Sequence, residues 1–196
     1  MARRLAAAFC AVVLAGSAFS FESAEGLPKS IVDIIKTNPK LSAAREWAEE
    51  SGILQKVDLS HYGDKVTIVL PSNRAFKELQ ANHPTWKAQL VSNSEDVETL
   101  ILFASTDHSV TPEEIKAGKY EDTDSLVSIL SEYSSISRSG RLCVSDYTRA
   151  LPCDDPDSLP CCAKVDLRNV LEAEDGYIYL IDQVLLPQEL IDKLED

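Results

Sequence analysis

Residues Val66–Gln80 read VTIVLPSNRAFKELQ. Apolar and β-branched residues run from Val66 to Leu70, and they give way at once to Pro71, the small polar pair Ser72 and Asn73, and a segment with helical spacing. The first part has the length and composition of a buried strand, and Pro71 breaks it. Ser72 or Asn73 can then cap a helix whose Ala75, Phe76 and Leu79 face inward. A turn of this kind pins a helix against the end of a strand. A catalytic serine elbow at Ser72 would need flanking glycines to hold the strained turn. The flanks are Pro71 and Asn73, so the stretch is read as an architectural joint.

The chain before the joint has helical periodicity. In KSIVDIIKTNP, Ser30 can cap, Ile31, Ile34 and Ile35 share a face, and Pro39 forces a stop at Asn38. LSAAREWAEESG follows with Leu41, Ala44, Trp47 and Ala48 on one stripe and Gly52 as its terminator. After the joint, NSEDVETLILFAS predicts a helix capped by Ser94, with acids in its first turn and Val97, Leu100, Ile101 and Ala104 inward. In TPEEIKAG, Thr111 and Glu114 form a capping box, Pro112 takes the first helical position and Gly118 ends the helix.

From Lys119 the period changes. SLVSIL, YSSIS, RLCVS, AKVDLRNVL and YIYLIDQVLL are short, β-branched or aromatic, and separated by turn residues, so the carboxyl-terminal half is expected to be mostly sheet. Tyr177, Tyr179 and Ile181 fall on one face of the last of these and Ile178 and Leu180 on the other. Apolar residues on both faces predict a strand covered on both sides.

At the amino terminus, Arg3 and Arg4 precede the apolar run LAAAFCAVVLA, and small residues follow. This is the order of a secretory signal peptide, too short to span a bilayer, and it is assigned to residues 1–20 with cleavage after Ser20; Ala18 is the other candidate. Phe19 after Gly-Ser-Ala also resembles the leader junction of proteins imported into complex algal plastids. The short acidic FESAEGLP that follows argues for ordinary export, with the lumen of an exported or plastid compartment as the alternative. Removing the leader takes away two basic residues and no acid, so 17 basic residues face 32 acidic ones and the formal charge moves from −13 to −15. A nucleic-acid partner is excluded on that balance, since phosphate binding needs concentrated Lys and Arg. The sequence closes on QELIDKLED, which offers neither a lipid-anchor tail nor a membrane span.

Cys10 leaves with the leader, and Cys143, Cys153, Cys161 and Cys162 remain. Four cysteines in an exported chain read as two disulfides. The neighbours Cys161 and Cys162 cannot join each other without strain, so each pairs with Cys143 or Cys153, in either of two connectivities. The nested arrangement is expected, with Cys143–Cys162 outside and Cys153–Cys161 inside, if the flanking strands run side by side. The segment between, ALPCDDPDSLPCC, has three prolines and no strand pattern, so residues 143–162 read as a stapled surface insertion. Zinc finds no C-x-x-C pair and no nearby histidine there, and calcium at Asp154, Asp155 and Asp157 lacks the glycine turn and closing bidentate glutamate. No metal or cofactor is expected.

In this order the elements resemble the fasciclin-like domain family, from about Pro28 to Leu194. SIVDIIKTNP looks like its opening helix, TIVLPSNRAF like its first signature and DGYIYLIDQVLLP like its second, with VTPEEIKAG between them. The resemblance implies an α+β domain, a twisted β-wedge or sandwich with helices packed on one side and the two signature strands close together. Pro71, Ser72, Asn73, Phe76, Asp182 and Pro187 are its structural signature residues here. Asp182 lies among apolar strand residues and would need hydrogen-bond partners if buried, which Ser72 and Asn73 are expected to supply.

The function implied by the resemblance is that of a secreted, non-catalytic adhesion or extracellular-matrix interaction module with a protein or matrix-glycan partner. The Tyr-His pair associated with integrin adhesion would fall near Phe103 and Ala104, where the histidine is missing. The Asp-Ile pair of some integrin-binding members would fall at Val170 and Leu171, where the acid is missing. Integrin binding is therefore not carried over. No N-x-S/T sequon occurs, so N-glycosylation is not expected. Two other classes are weighed: a lumenal or envelope accessory subunit that packs against a larger complex, supported by the leader junction, and a secreted hydrolase. His61, His83 and His108 are far apart in sequence with no nucleophile or metal spacing around them, which leaves the hydrolase without machinery.

The leader assignment makes a direct prediction. Sequencing of the native protein by Edman degradation or mass spectrometry should find Phe21 at its start. A retained Met1, or a product confined to the cytosol, would overturn export.

Overall fold

The structure, a computed structural model, describes residues 30–56, 58, 61, 65–122, 126–128, 133–144, 148–151 and 162–195. The expected leader and Cys153, Asp154, Asp155, Asp157 and Cys161 lie outside these residues. Helix α1 (Ile31–Thr37) starts where Ser30 Oγ accepts from the Asp33 amide at 3.0 Å. A 3-10 turn over Pro39–Leu41 leads into α2 (Ser42–Glu50), whose Ala44, Trp47 and Ala48 are buried. A second 3-10 turn, Ile53–Gln55, follows.

Strand β1 (Val66–Pro71) hands over to α3 (Asn73–Asn82) through Ser72 alone, and Ser72 Oγ caps the helix by accepting from the Ala75 amide at 3.3 Å. Pro71 does not break the strand but is its last residue. It lacks an N–H, and β1 has a neighbour on only one side at that end, so no ladder bond is forfeited. Helices α4 (Trp86–Val91) and α5 (Ser94–Phe103) come next. The cap of α5 is Asn93, one residue earlier than the expected Ser94: Asn93 Oδ1 accepts from the Glu95 amide at 3.0 Å, and Ser94 is already helical. Asparagine and serine cap equally well, so composition does not choose between neighbours.

Strand β2 (Ser105–Thr106) leads to α6 (Pro112–Ala117), where the Thr111–Glu114 capping box and the left-handed Gly118 both occur. The remaining strands are β3 (Leu126–Val127), β4 (Tyr133–Ile136), β5 (Arg141–Val144), β6 (Thr148–Leu151), β7 (Cys162–Lys164), β8 (Leu171–Ala173), β9 (Gly176–Ile181) and β10 (Val184–Pro187). The chain ends in α7 (Gln188–Glu195), which sequence periodicity did not single out. Residues 143–162 are not wholly an insertion outside the sheets. Their ends belong to β5 and β7, and β6 begins before Pro152 and pairs with β10, bringing Ala150 and Leu151 into the ladder.

Among the described residues the strands form three sheets. The first has the order β2-β1-β9-β8, the second is β10-β6, and the third is β3-β4-β5-β7. The two signature strands are direct neighbours: β1 and β9 run parallel, in register from Val66 opposite Gly176 to Pro71 opposite Ile181. An isolated bridge between Val165 and Ile181 ties the residue that follows β7 to β9. Strand β9 is covered on both faces as its pattern requires. Ile178 and Leu180 pack with Ile31, Ile34 and Leu41 on the side of α1, while Tyr179 and Ile181 pack with Ile136, Leu142 and Ala163 of the third sheet. A further core brings Trp47, Phe76 and Trp86 of the helical layer against Val184 and Leu186 of β10 and against Leu190, Ile191 and Leu194 of α7.

The start of the β1–β9 pairing is closed by Asp175 and Gly176. The Asp175 carbonyl accepts from the Val66 amide at 2.9 Å, and its Oδ1 accepts from the Ile31 amide at 2.8 Å, so one residue fastens the strand pair and the first helix together. Gly176 adopts φ +144, and a Cβ there would sit 1.7 Å from the Val66 carbonyl oxygen. No side chain fits at that distance, and the conformation itself is one that L-residues avoid.

Gly176→Ala should therefore cost roughly 3 kcal/mol or more by chemical denaturation, since it combines backbone strain with a clash in the central pairing. Phe76 is buried with its ring 4.7 Å from that of Trp47, and Phe76→Ala should cost roughly 3–5 kcal/mol. Unchanged melting in either variant would show that the residue carries no part of the core.

Candidate binding cleft at the signature joints

Both signature strands end at the same place. The β1–α3 joint is held to the end of β9 by the Ser72 amide, which donates to the Ile181 carbonyl at 2.8 Å. Next in the chain, Asp182 begins the two-residue turn into β10. It is exposed, and its partner is neither Ser72 nor Asn73: Asp182 Oδ1 accepts from the Lys164 amide at 2.7 Å, and the Asp182 amide donates to the Lys164 carbonyl at 3.1 Å. Strand β9 ends one residue earlier, at Ile181. Ser72 is committed to the helix cap. Asn73 instead ties α3 to the start of α2, its Oδ1 accepting from the Ala43 amide at 2.9 Å and its Nδ2 donating to the Pro39 carbonyl at 3.1 Å.

Around this junction opens a cleft of about 680 Å³, within the size range of small-ligand sites. Its floor is Val165, Leu167, Leu180 and Ile181. Its polar wall combines Ser72, Ser139, Lys164 and Asp182 with the turn Asp166–Asn169. That turn is internally fixed: Asp166 Oδ1 accepts from the Arg168 amide at 3.0 Å, Asp166 Oδ2 accepts from Asn169 Nδ2 at 2.8 Å, and Lys40 Nζ donates to Asn169 Oδ1 at 3.0 Å. The Asn169 side chain holds the Asp166 carboxyl below the usual aspartate range, helped by the Arg168 and Asn169 amides and the Lys40 charge and opposed by burial.

Charge is distributed unevenly along this wall. The carboxylate of Asp166 is spent on its own turn, and Arg74 near Asp182 is paired with Glu78 at 2.7 Å. Lys164 and Arg168 are exposed and take part in none of the ion pairs among the described residues. Sequence reasoning read both cations as part of a strand segment. The Asp-x-x-Asn spacing of Asp166 and Asn169 was the available sign of a turn, because these side chains bond readily to nearby backbone.

The other expected residues lie elsewhere. Pro187 ends β10, and Cys143 and Cys162 stand opposite each other on β5 and β7, joined by a disulfide across a Cα separation of 4.2 Å. Cys153 and Cys161 lie outside the described residues. Phe103 is buried in the core between the sheets, and Val170 and Leu171 are half-buried. The histidines are held in separate contacts: His61 with Asp58 at 3.4 Å, His83 stacked on Trp86 at 3.7 Å, and His108 with Asp107 at 3.0 Å. Among the described residues no group of acids, histidines and cysteines could hold a metal, and no helix is long and apolar enough to cross a membrane.

Against known proteins, the family model of the fasciclin domain matches residues 39–187. No curated protein matches the chain in sequence. Among solved structures, the chain is similar to a FAS1 domain pair from the insect cell adhesion molecule Fasciclin I, with 12% identity and a TM-score of 0.57. The similarity covers 84% of this chain and 53% of that one, so this protein spans about half the length of the structure it matches. At this identity the likeness concerns the fold.

The turn beside the cleft has a defined pH response. A carboxyl whose folded pKa is lowered contributes stability above its unfolded value, near 3.9 for aspartate, and loses it as the pH falls through the folded value. Amide resonances of Arg168 and Asn169 should stay constant from pH 7 to pH 5 and shift only below about pH 4. A transition between pH 5 and 7 would contradict the hydrogen-bonded state of Asp166.

Proposed function

The chain belongs to the fasciclin domain family, and from that premise we propose that it is an exported, non-catalytic adhesion or matrix-interaction module that engages its partner through the cleft at the signature joints. Fasciclin domains are in general non-catalytic and typically extracellular. The observation that carries the reading is the wall of the cleft. Two cations without ion-pair partners among the described residues stand beside hydroxyl and amide groups on a rigid strand-end scaffold.

Serine-based hydrolysis finds no support in this wall. A nucleophilic serine requires a base within hydrogen-bond reach. Among the described residues Ser72 Oγ accepts from the Ala75 amide and Ser139 Oγ bonds Ser137 Oγ at 2.9 Å, while each histidine is engaged elsewhere. These contacts favour a binding role.

Purified protein should support attachment to cells or isolated matrix and should show no turnover on ester, glycoside and peptide panels. Turnover abolished by changing one histidine would overturn the reading, as would failure to bind any cell or matrix surface.

A further inference from the structure

The chemistry of the cleft narrows its ligand. The chain carries a formal charge of −13, whereas the lining of the cleft sets two cations against the two carboxylates of Asp166 and Asp182 and is formally neutral, and those two cations have no ion-pair partner among the described residues. A neutral ligand would make no use of that charge, whereas a carboxylate would gain charge-assisted hydrogen bonds. Arg168 offers a planar fork suited to a carboxylate, and Lys164 a compact second charge.

A dense polyanion is disfavoured by the fixed carboxylates. Asp166 and Asp182 line the same space, so a sulfated chain, with several charges on one sugar unit, would place some of them against these carboxylates. A uronate carries one carboxylate per ring together with neutral hydroxyls that can face Asp182, which an acidic peptide lacks.

The remaining polar groups suit hydroxyls. Ser72 Oγ accepts from the Ala75 amide and keeps its own hydrogen to donate. Asp182 Oδ1 is occupied by the Lys164 amide, which leaves the second oxygen as an acceptor. Asp166, by contrast, has both oxygens engaged within its turn, one by the Arg168 backbone amide and one by the Asn169 side chain. A cation pair, a hydroxyl donor and a carboxylate acceptor in one cleft match a sugar ring bearing a carboxylate and free hydroxyls.

We propose that the cleft binds a uronic-acid-bearing glycan, with the ring carboxylate between Lys164 and Arg168 and ring hydroxyls on Ser72 and Asp182. The proposal rests on the reading of the cleft as the adhesive surface and gives that surface its ligand class. Galacturonate and glucuronate units share this chemistry, and separate probes distinguish them.

Calorimetric titration of the full-length mature protein would use three oligosaccharides: a galacturonic acid hexamer, its methyl-esterified form, and a hexamer of alternating glucuronic acid and N-acetylglucosamine. A hexaglutamate peptide serves as the acidic-peptide arm. At least one uronate should bind, the ester should bind about tenfold or more weakly than its parent acid, and hexaglutamate should bind no better than the ester. Arg168→Ala and Lys164→Ala should each weaken uronate binding by about tenfold, with unchanged melting temperatures, while Lys116→Ala, on α6 and away from the cleft, should bind like wild type. Equal binding of acid and ester, preferential binding of hexaglutamate, or no uronate binding at all would each overturn the proposal. Matrix attachment of the same variants keeps the two readings apart. If Arg168→Ala and Lys164→Ala abolish attachment although no uronate binds, the cleft is adhesive but the ligand class is wrong. If wild type itself fails to attach, the adhesion reading falls as well.

Discussion

The constraint on which this structure depends is the parallel pairing of β1 with β9. Parallel neighbours cannot be joined by a tight turn, so the chain must leave the sheet and return across a long connection. Here about 110 residues separate Val66 from its partner Gly176, and most of the helical layer and the third sheet lie within that excursion. The pairing begins at a point of closest approach, where the missing side chain of Gly176 lets the Val66 carbonyl pass. Asp175 then fastens α1 to the same point. With β9 fixed, its two faces divide the interior: Ile178 and Leu180 toward α1, Tyr179 and Ile181 toward the third sheet.

The opposite end of that pairing creates the cleft. Strands that run parallel and in register finish together, so the departing chain segments at Ser72 and Asp182 are brought side by side. The Val165–Ile181 bridge adds a third segment, and the Asp166–Asn169 turn follows directly from it. The polar wall is thus supplied by backbone geometry that core packing already requires. Exposed side chains such as Lys164 and Arg168 can vary there without disturbing the buried floor, which is how a common scaffold acquires different binding surfaces.

Much of the fold was legible because periodicity and caps act locally. Ser30, Ser72 and the Thr111–Glu114 box bond to amides three residues away, and the apolar faces of α2, α3 and β9 follow directly from spacing. The closeness of β1 and β9 came only through resemblance to a family, and their parallel pairing only from the structure, since no local pattern reports a partner over 100 residues distant. Asp182 lies one residue past the end of β9 and is exposed, so it does not need the partners that burial would have required and bonds the Lys164 amide in place of Ser72 or Asn73. Strand β6 was missed because the prolines and acids that follow Leu151 dominated the reading of the segment, and its hydrogen bonds go to a distant strand, β10. The cleft itself was the least visible feature. Its wall is assembled from four chain segments, and only Ser72 and Asp182 belonged to a recognised signature.

Helix α7 gives the domain a particular order of assembly. Leu190, Ile191 and Leu194 complete the core that Trp47, Phe76 and Trp86 begin, so the helical layer of the first half stays open until the last residues arrive. During synthesis the helical layer therefore emerges with an apolar surface that it cannot cover locally, and its closure waits for α7. Contacts of such long range slow folding and expose intermediates to aggregation. A chain interrupted before Gln188 keeps the apolar faces of α2, α3 and α4 open, so the helical layer and α7 are sealed together or not at all.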